Sequence, residues 1–149
     1  MNRKILFLDF DGVLHPDGYP HFSRLDLFTA CLLQMPEIDI VISSTWRYEK
    51  SLAELRALFP AELRARIIGM TPILDIGLDL RGRQREIESF LQTNTSNAVF
   101  NPVSNTAWAA LDDMREFFDD GCPNLIWVDP EFGFSEDDGM RLKKWYDQA

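Results

Sequence analysis

Short apolar runs of strand length alternate along this chain with segments whose apolar residues recur at helical spacing. That alternation dictates an α/β fold with a largely parallel sheet. Ile5–Leu8 is unbroken apolar and closed by Asp9. Phe22, Leu25, Phe28, Cys31 with Leu32, and Met35 then predict a helix that Pro36 stops. Ile38–Ile42 is the second strand, halted at Ser43-Ser44-Thr45. Ser51 and Glu54 form a capping-box pair for a helix carrying Leu52, Leu55, Leu58 and Phe59. Arg66–Met70 reads as a third strand, followed by an irregular stretch to about Arg81. Glu86, Ile87, Phe90 and Leu91 predict a helix beginning near Gly82–Arg83, and the polar, Asn-rich Thr93–Thr106 reads as loop. Ala107–Leu111, ended by Asp112-Asp113, and Leu125–Val128, ended by Asp129-Pro130, complete the strands. Ser135 with Asp138 caps a closing helix that carries Met140, Leu142 and Trp145.

The 149 residues amount to one domain, since domains commonly run ~100–200 residues, and no repeat or Pro/Gly/Ser-rich linker divides 1–149. A composition 46% hydrophobic and 26% charged excludes disordered, collagen-like and membrane classes. Cys31 and Cys122 form no C-x-x-C, which excludes a disulfide or zinc framework. The formal net charge of −9 disfavours generic nucleic-acid binding, whose affinity rests on neutralising phosphates. A local basic strip of Arg47, Arg81, Arg83 and Arg85 at the mouth of the site would be needed to restore it. Asp9 and Asp11 cut the first apolar run far short of a signal-peptide core or a membrane span, so the expectation is a cytoplasmic protein with no membrane contact.

Three of these strands end in polar chemistry: Asp9, then Ser43-Ser44-Thr45, then Asp112-Asp113. In parallel α/β sheets ligands bind beyond the carboxyl ends of the strands, so neighbouring strands would bring the three clusters into one pocket. Asp9 and Asp11 flank Phe10 and precede Gly12, which is free to turn sharply. Carboxylates this close raise one another's pKa unless a cation or a shared proton relieves them. Mg²⁺ suits such a site, because it needs one or two carboxylates, several waters and a substrate phosphate. Phosphoryl transfer is the matching chemistry, and a carboxylate nucleophile can divide it into two steps through an aspartyl-phosphate.

Asp9-Phe10-Asp11-Gly12-Val13 resembles the first motif of the haloacid dehalogenase-like (HAD) phosphohydrolases, D-x-D-G-[TV] after an apolar strand. Ile40 to Arg47 is similar to their second motif, and Ala109-Ala110-Leu111-Asp112-Asp113 to their acidic fourth. The S-S-x-W-R wording, Arg83-Gln84-Arg85-Glu86-Ile87 and the segment from Asp129 to Asp138 most resemble the compact HAD domains associated with Swiss Army Knife RNA-repair proteins. The resemblance implies a three-layer Rossmann-like fold with a central, mainly parallel sheet and little or no cap domain. It also implies a Mg²⁺-dependent phosphatase with an open site that suits either a large phosphorylated substrate or a neighbouring subunit acting as lid.

Carried over by position, Asp9 would be nucleophile and metal ligand. Asp11 would be general acid and base, with its backbone carbonyl on the metal. Ser44 or Ser43 would hold the phosphoryl group, and Asp112 and Asp113 would bind Mg²⁺, Asp113 directly or through water. Arg83, favoured over Arg81 and Arg85, would neutralise phosphoryl charge. Two other functions stand beside this one: a nucleic-acid end-processing phosphatase, and a silent module that binds a phosphorylated partner. Trp46 reads as a packing residue rather than a base-stacking platform, and Arg47 as either a substrate-facing cation or a surface partner for acids. His15 and His21 read as surface histidines in a turn and are given no role.

Overall fold

A computed structural model of the chain describes residues 3–74, 81–95 and 106–149. Five strands form one sheet in the order β3-β2-β1-β4-β5, every neighbouring pair parallel. They are β1 (Arg3–Leu8), β2 (Ile38–Ile42), β3 (Ile67–Met70), β4 (Thr106–Asp112) and β5 (Leu125–Trp127). The helices are α1 (Leu25–Leu33), α2 (Leu52–Ala57), α3 (Ala61–Arg64), α4 (Gly82–Thr95) and α5 (Glu136–Gln148). This is the α/β, Rossmann-like arrangement expected of the alternating pattern.

The central strand explains why its sequence has no polar alternation. Leu6 and Leu8 face one cluster with Phe28 and Leu32 of α1, Leu55 of α2, Leu63 of α3 and Leu142 of α5. Ile5 and Phe7 face a second cluster with Ile87, Phe90 and Leu91 of α4. A strand covered on both faces must be apolar at every position, and these four side chains are fully buried. The sheet is thus the middle of three layers.

Local signals set most element boundaries. Both expected capping boxes form, Ser51 with Glu54 on α2 and Ser135 with Asp138 on α5. The first helix departs from its periodic pattern. It begins at Leu25 rather than Phe22, because Phe22 takes a left-handed backbone (φ 53°) that no helix can include. Residues 93–95 are the last positions of α4 and Thr106 opens β4, so both ends of the expected loop belong to regular elements. Its middle, residues 96–105, lies outside the described residues, as does 75–80 of the irregular stretch before Arg81. The short α3 was not foreseen; Pro60 supplies its entry.

Arg47 is neither a substrate-facing cation nor a surface residue. It is buried and clamps three elements at the carboxyl end of the sheet. Nη1 donates to the carbonyls of Ser43 and Ser44 (both 2.9 Å), Nε to Thr71 O (3.1 Å), and Nη2 to Glu86 Oε1 on α4 (2.7 Å). The other oxygen of Glu86 accepts from the amide of Leu74 (3.1 Å). Removing one partner of a buried pair strands the other charge, at a cost of ~3–5 kcal/mol. Arg47→Met is expected to lower unfolding free energy by about that amount, read as a reduced urea midpoint at unchanged slope.

Candidate functional site

Register brings the polar strand ends together. Leu8 of β1 pairs with Ile42 of β2 and with Leu111 of β4, so Asp9, Ser43 and Asp112 lie at one level along three adjacent strands. Backbone bonds hold that level: Asp9 N donates to Leu111 O (3.2 Å) and Ser43 N to Leu8 O (3.0 Å). Asp9, Asp112 and Asp113 each offer a carboxylate oxygen within 4.8 Å of the others. Gly12 makes room for this cluster. Its φ is +78°, and a Cβ there would stand 2.4 Å from Asp113 Oδ2.

The acids are costly to bury. Burial first, then the charge of Asp112, pushes Asp9 well above the usual carboxylate range against the pull of Arg83. Burial likewise raises Asp112, and raises Asp113 to about 6. Arg83 partly relieves them: its Nη1 lies 2.8 Å from Asp112 Oδ2 and 3.2 Å from Asp9 Oδ2. One guanidinium cannot balance three carboxylates, so the pocket becomes net negative when all three ionise. Largely buried, all-oxygen and acidic, the donor set fits a hard divalent cation, and the three aspartates could hold a metal ion.

A family model for the HAD domain in Swiss Army Knife RNA repair proteins matches residues 5–138. The chain belongs to that family. Neither a curated protein nor a solved structure matches it.

Within this HAD domain the three arginines weighed for neutralising phosphoryl charge separate cleanly. Only Arg83 faces the aspartate cluster. Arg81 lies 3.5 Å from Asp119 and 3.6 Å from Asp120, and Arg85 binds Glu88 and Asp119. With Arg47 paired to Glu86, all four arginines of the expected basic strip are engaged by carboxylates. That compensation argues against a bare cationic track for a nucleic-acid backbone.

The two serines also differ. Ser44 Oγ accepts from Trp46 N (3.2 Å) and so caps the 3₁₀ turn Thr45–Tyr48. Ser43 Oγ is buried with no hydrogen-bond partner among the described residues, and so is Thr71 Oγ1 just past the end of β3. A buried hydroxyl without a partner is uncommon, and its obvious use is a ligand atom. Thr71 escaped sequence reasoning because a Thr after Ile-Gly-Met carries no motif.

Asp11 stands apart from the three clustered aspartates. Its side chain is 44% exposed and engaged by His15 and Trp46: His15 Nε2 lies 2.8 Å from Oδ1, and Trp46 Nε1 donates to Oδ2 at 3.1 Å. The expected surface role of His15 is wrong, since the residue is fully buried. The turn-rich composition around it hid the packing of Phe22 against its ring (5.0 Å, edge-on). His21 is exposed.

A raised carboxyl in the fold contributes stability that is complete below the ordinary value of ~3.9 and lost as pH rises. For Asp113 that loss runs from there up to about 6, above which it is complete. A cation displaces the proton and reverses the loss. Mg²⁺ is therefore expected to raise the melting temperature more at about pH 7.5 than at about pH 5, by ~2–4 °C per kcal/mol of binding. Gly12→Ala, which drives a methyl group into Asp113, should shrink the pH 7.5 shift in the same differential scanning fluorimetry.

Proposed function

We propose that this domain is a Mg²⁺-dependent phosphohydrolase that forms an aspartyl-phosphate on Asp9. The observation that carries the reading is the flush alignment of Asp9 with Asp112 and Asp113 beside Arg83 at the end of the sheet. Membership in a HAD family supports the same class of chemistry. An ion held by Asp9, Asp112, Asp113 and the Asp11 carbonyl would supply the positive charge that lets a phosphate dianion approach these carboxylates.

The chain's own groups would divide the work as follows. An oxygen of Asp9 attacks phosphorus, the bond from phosphorus to the leaving oxygen breaks, and the Asp11 carboxyl gives that oxygen its proton. Asp11, now a carboxylate, takes a proton from water as the water attacks the aspartyl-phosphate. The Asp9–phosphorus bond then breaks, returning the carboxylate and inorganic phosphate. Ser43, with its unengaged hydroxyl, would hold an equatorial phosphoryl oxygen, leaving Ser44 to cap the turn beside it. Arg83 would turn part of its charge from Asp9 and Asp112 toward the transferring group.

The association of the family with RNA repair proteins favours one second reading, a phosphate on a nucleic-acid end as substrate. Terminal phosphate release from short oligonucleotides, weakening with salt, would support it, and salt-independent or undetectable affinity would exclude it.

Steady-state hydrolysis of p-nitrophenyl phosphate tests the main reading. With Mg²⁺ the wild type should turn over, and Asp9→Asn should lose on the order of 10³-fold or more in kcat. A wild type silent across a broad phosphoester panel, or an Asp9→Asn variant as active as the parent, overturns it.

A further inference from the structure

The turns after β1 and β2 carry one side chain each, His15 and Trp46, that the proposed chemistry does not use, yet both are bonded to its acid–base group. We infer that His15 and Trp46 are positioning residues that hold the Asp11 carboxylate in one orientation for proton transfer to the leaving oxygen. The inference rests on the reading of Asp11 as general acid and base.

Several independent features converge on these two contacts. Each carboxylate oxygen of Asp11 is engaged by a different ring: Oδ1 by His15 Nε2 at 2.8 Å and Oδ2 by Trp46 Nε1 at 3.1 Å. Two bonds at the two oxygens fix both torsions of a short side chain, which one bond would not. An oxygen can accept twice, so each keeps a lone-pair direction free, and the 44% exposure of Asp11 leaves the carboxylate reachable from outside. Trp46 Nε1 can only donate, so Oδ2 is an acceptor there whatever the state of the acid.

His15 itself is held for this contact. Its ring is fully buried, and Nδ1 has no hydrogen-bond partner among the described residues. A histidine kept in the core merely for packing would be expected to satisfy both nitrogens or to be a different residue. The tautomer with hydrogen on Nε2 donates to Asp11 and leaves only a lone pair at Nδ1, which costs less to bury than an N–H without an acceptor.

The surrounding structure spends strain to place both rings. Phe22, a bulky residue in the left-handed region at φ 53°, is uncommon enough to mark a constrained position. Its ring lies edge-on to His15 (5.0 Å), Trp46 (5.2 Å) and Phe10 (5.7 Å), and so forms the wall on which the two donors rest. The backbone behind His15 is closed by Phe134 N donating to Val13 O (2.7 Å). Gly133 passes so near that a Cβ there would lie 3.2 Å from the carbonyl carbon of His15.

Leaving groups separate positioning of an acid from general damage. A misplaced acid matters most where the departing oxygen needs a proton, and general acid catalysis is worth ~10²–10⁴-fold. His15→Phe keeps an aromatic ring against Phe22 but offers no N–H. Its kcat/KM, which covers the steps up to phosphoryl transfer to Asp9, should fall about 10- to 100-fold on an alkyl phosphate such as glycerol phosphate. On 2,4-dinitrophenyl phosphate, whose leaving group departs without protonation, it should stay within about threefold. Trp46→Phe should show the same selectivity, and His15→Gln, whose side-chain amide can reach Oδ1, should recover part of the alkyl-phosphate loss.

A second measurement needs no turnover. In the metal-free protein, the Trp46 indole N–H resonance, assigned by its loss in Trp46→Phe, should shift toward the free-indole position in both His15→Phe and Asp11→Asn. Equal losses on both phosphates, an undiminished rate on the alkyl phosphate, or an indole resonance unmoved by His15→Phe would overturn the inference. A wild type without phosphatase activity would refute the proposed function, while the indole resonance would still decide whether His15 orients Asp11.

Discussion

Arg83 lies between Asp9 and Asp112, and that one contact makes the carboxyl end of this sheet possible. Three carboxylates drawn together in a largely buried pocket repel one another and lose hydration, and burial is the leading cause of every upward shift among them. A guanidinium 2.8 Å and 3.2 Å from two of them offsets part of that cost without filling the ligand positions of Asp113. The negative charge left when all three ionise is what would let the cluster hold a cation. Removing Arg83 would therefore damage the fold and the site together, which makes it a poor place to dissect either.

Around this centre the molecule uses a second buried cation for a different purpose. Arg47 bonds to the chain ends of β2 and β3 and to α4, so the segment bearing Ser43 and Ser44 is tied to the helix that carries Arg83. The two arginines thus act in series: one fixes the walls, the other tempers the acids between them. Phe10, Phe22 and Trp46 pack edge to face beside Asp11, whose carboxylate accepts from Trp46 Nε1 and lies outside the cluster of Asp9, Asp112 and Asp113. Asp9 and Asp11 are two residues apart, yet they occupy different environments, one buried against Arg83 and the other half-exposed against two ring nitrogens. Such a division suits two carboxylates with different tasks.

Much of this was legible before any coordinates. β1 reads as a doubly covered strand because Ile5, Leu6, Phe7 and Leu8 offer no polar face, and the acids and hydroxyls after three strands mark one edge of a parallel sheet. The capping boxes at Ser51 and Ser135 were equally plain, since they depend on residues three positions apart. Where local pattern misled, a distant contact had prevailed. Phe22 fits a helical repeat but is drawn out of it by His15, Trp46 and Phe10, and His15 sits among turn residues yet is sealed by the chain near Gly133.

Short-range periodicity and the identity of strand-end residues are properties of the chain itself, so the α/β class, the strand order of chemistry and the D-x-D-G turn followed from residue order alone. The choice among Arg81, Arg83 and Arg85, the different fates of Ser43 and Ser44, and the burial of Arg47 and His15 did not. Each depends on which acid, carbonyl or ring a long or rotatable side chain meets across the sheet, as when Arg83 meets Asp112 and Arg85 meets Asp119. Arginines in and just before one helix look alike in sequence, and only the placement of that helix beside the end of β4 turns Arg83 inward to the carboxylates and leaves Arg81 and Arg85 to Asp119.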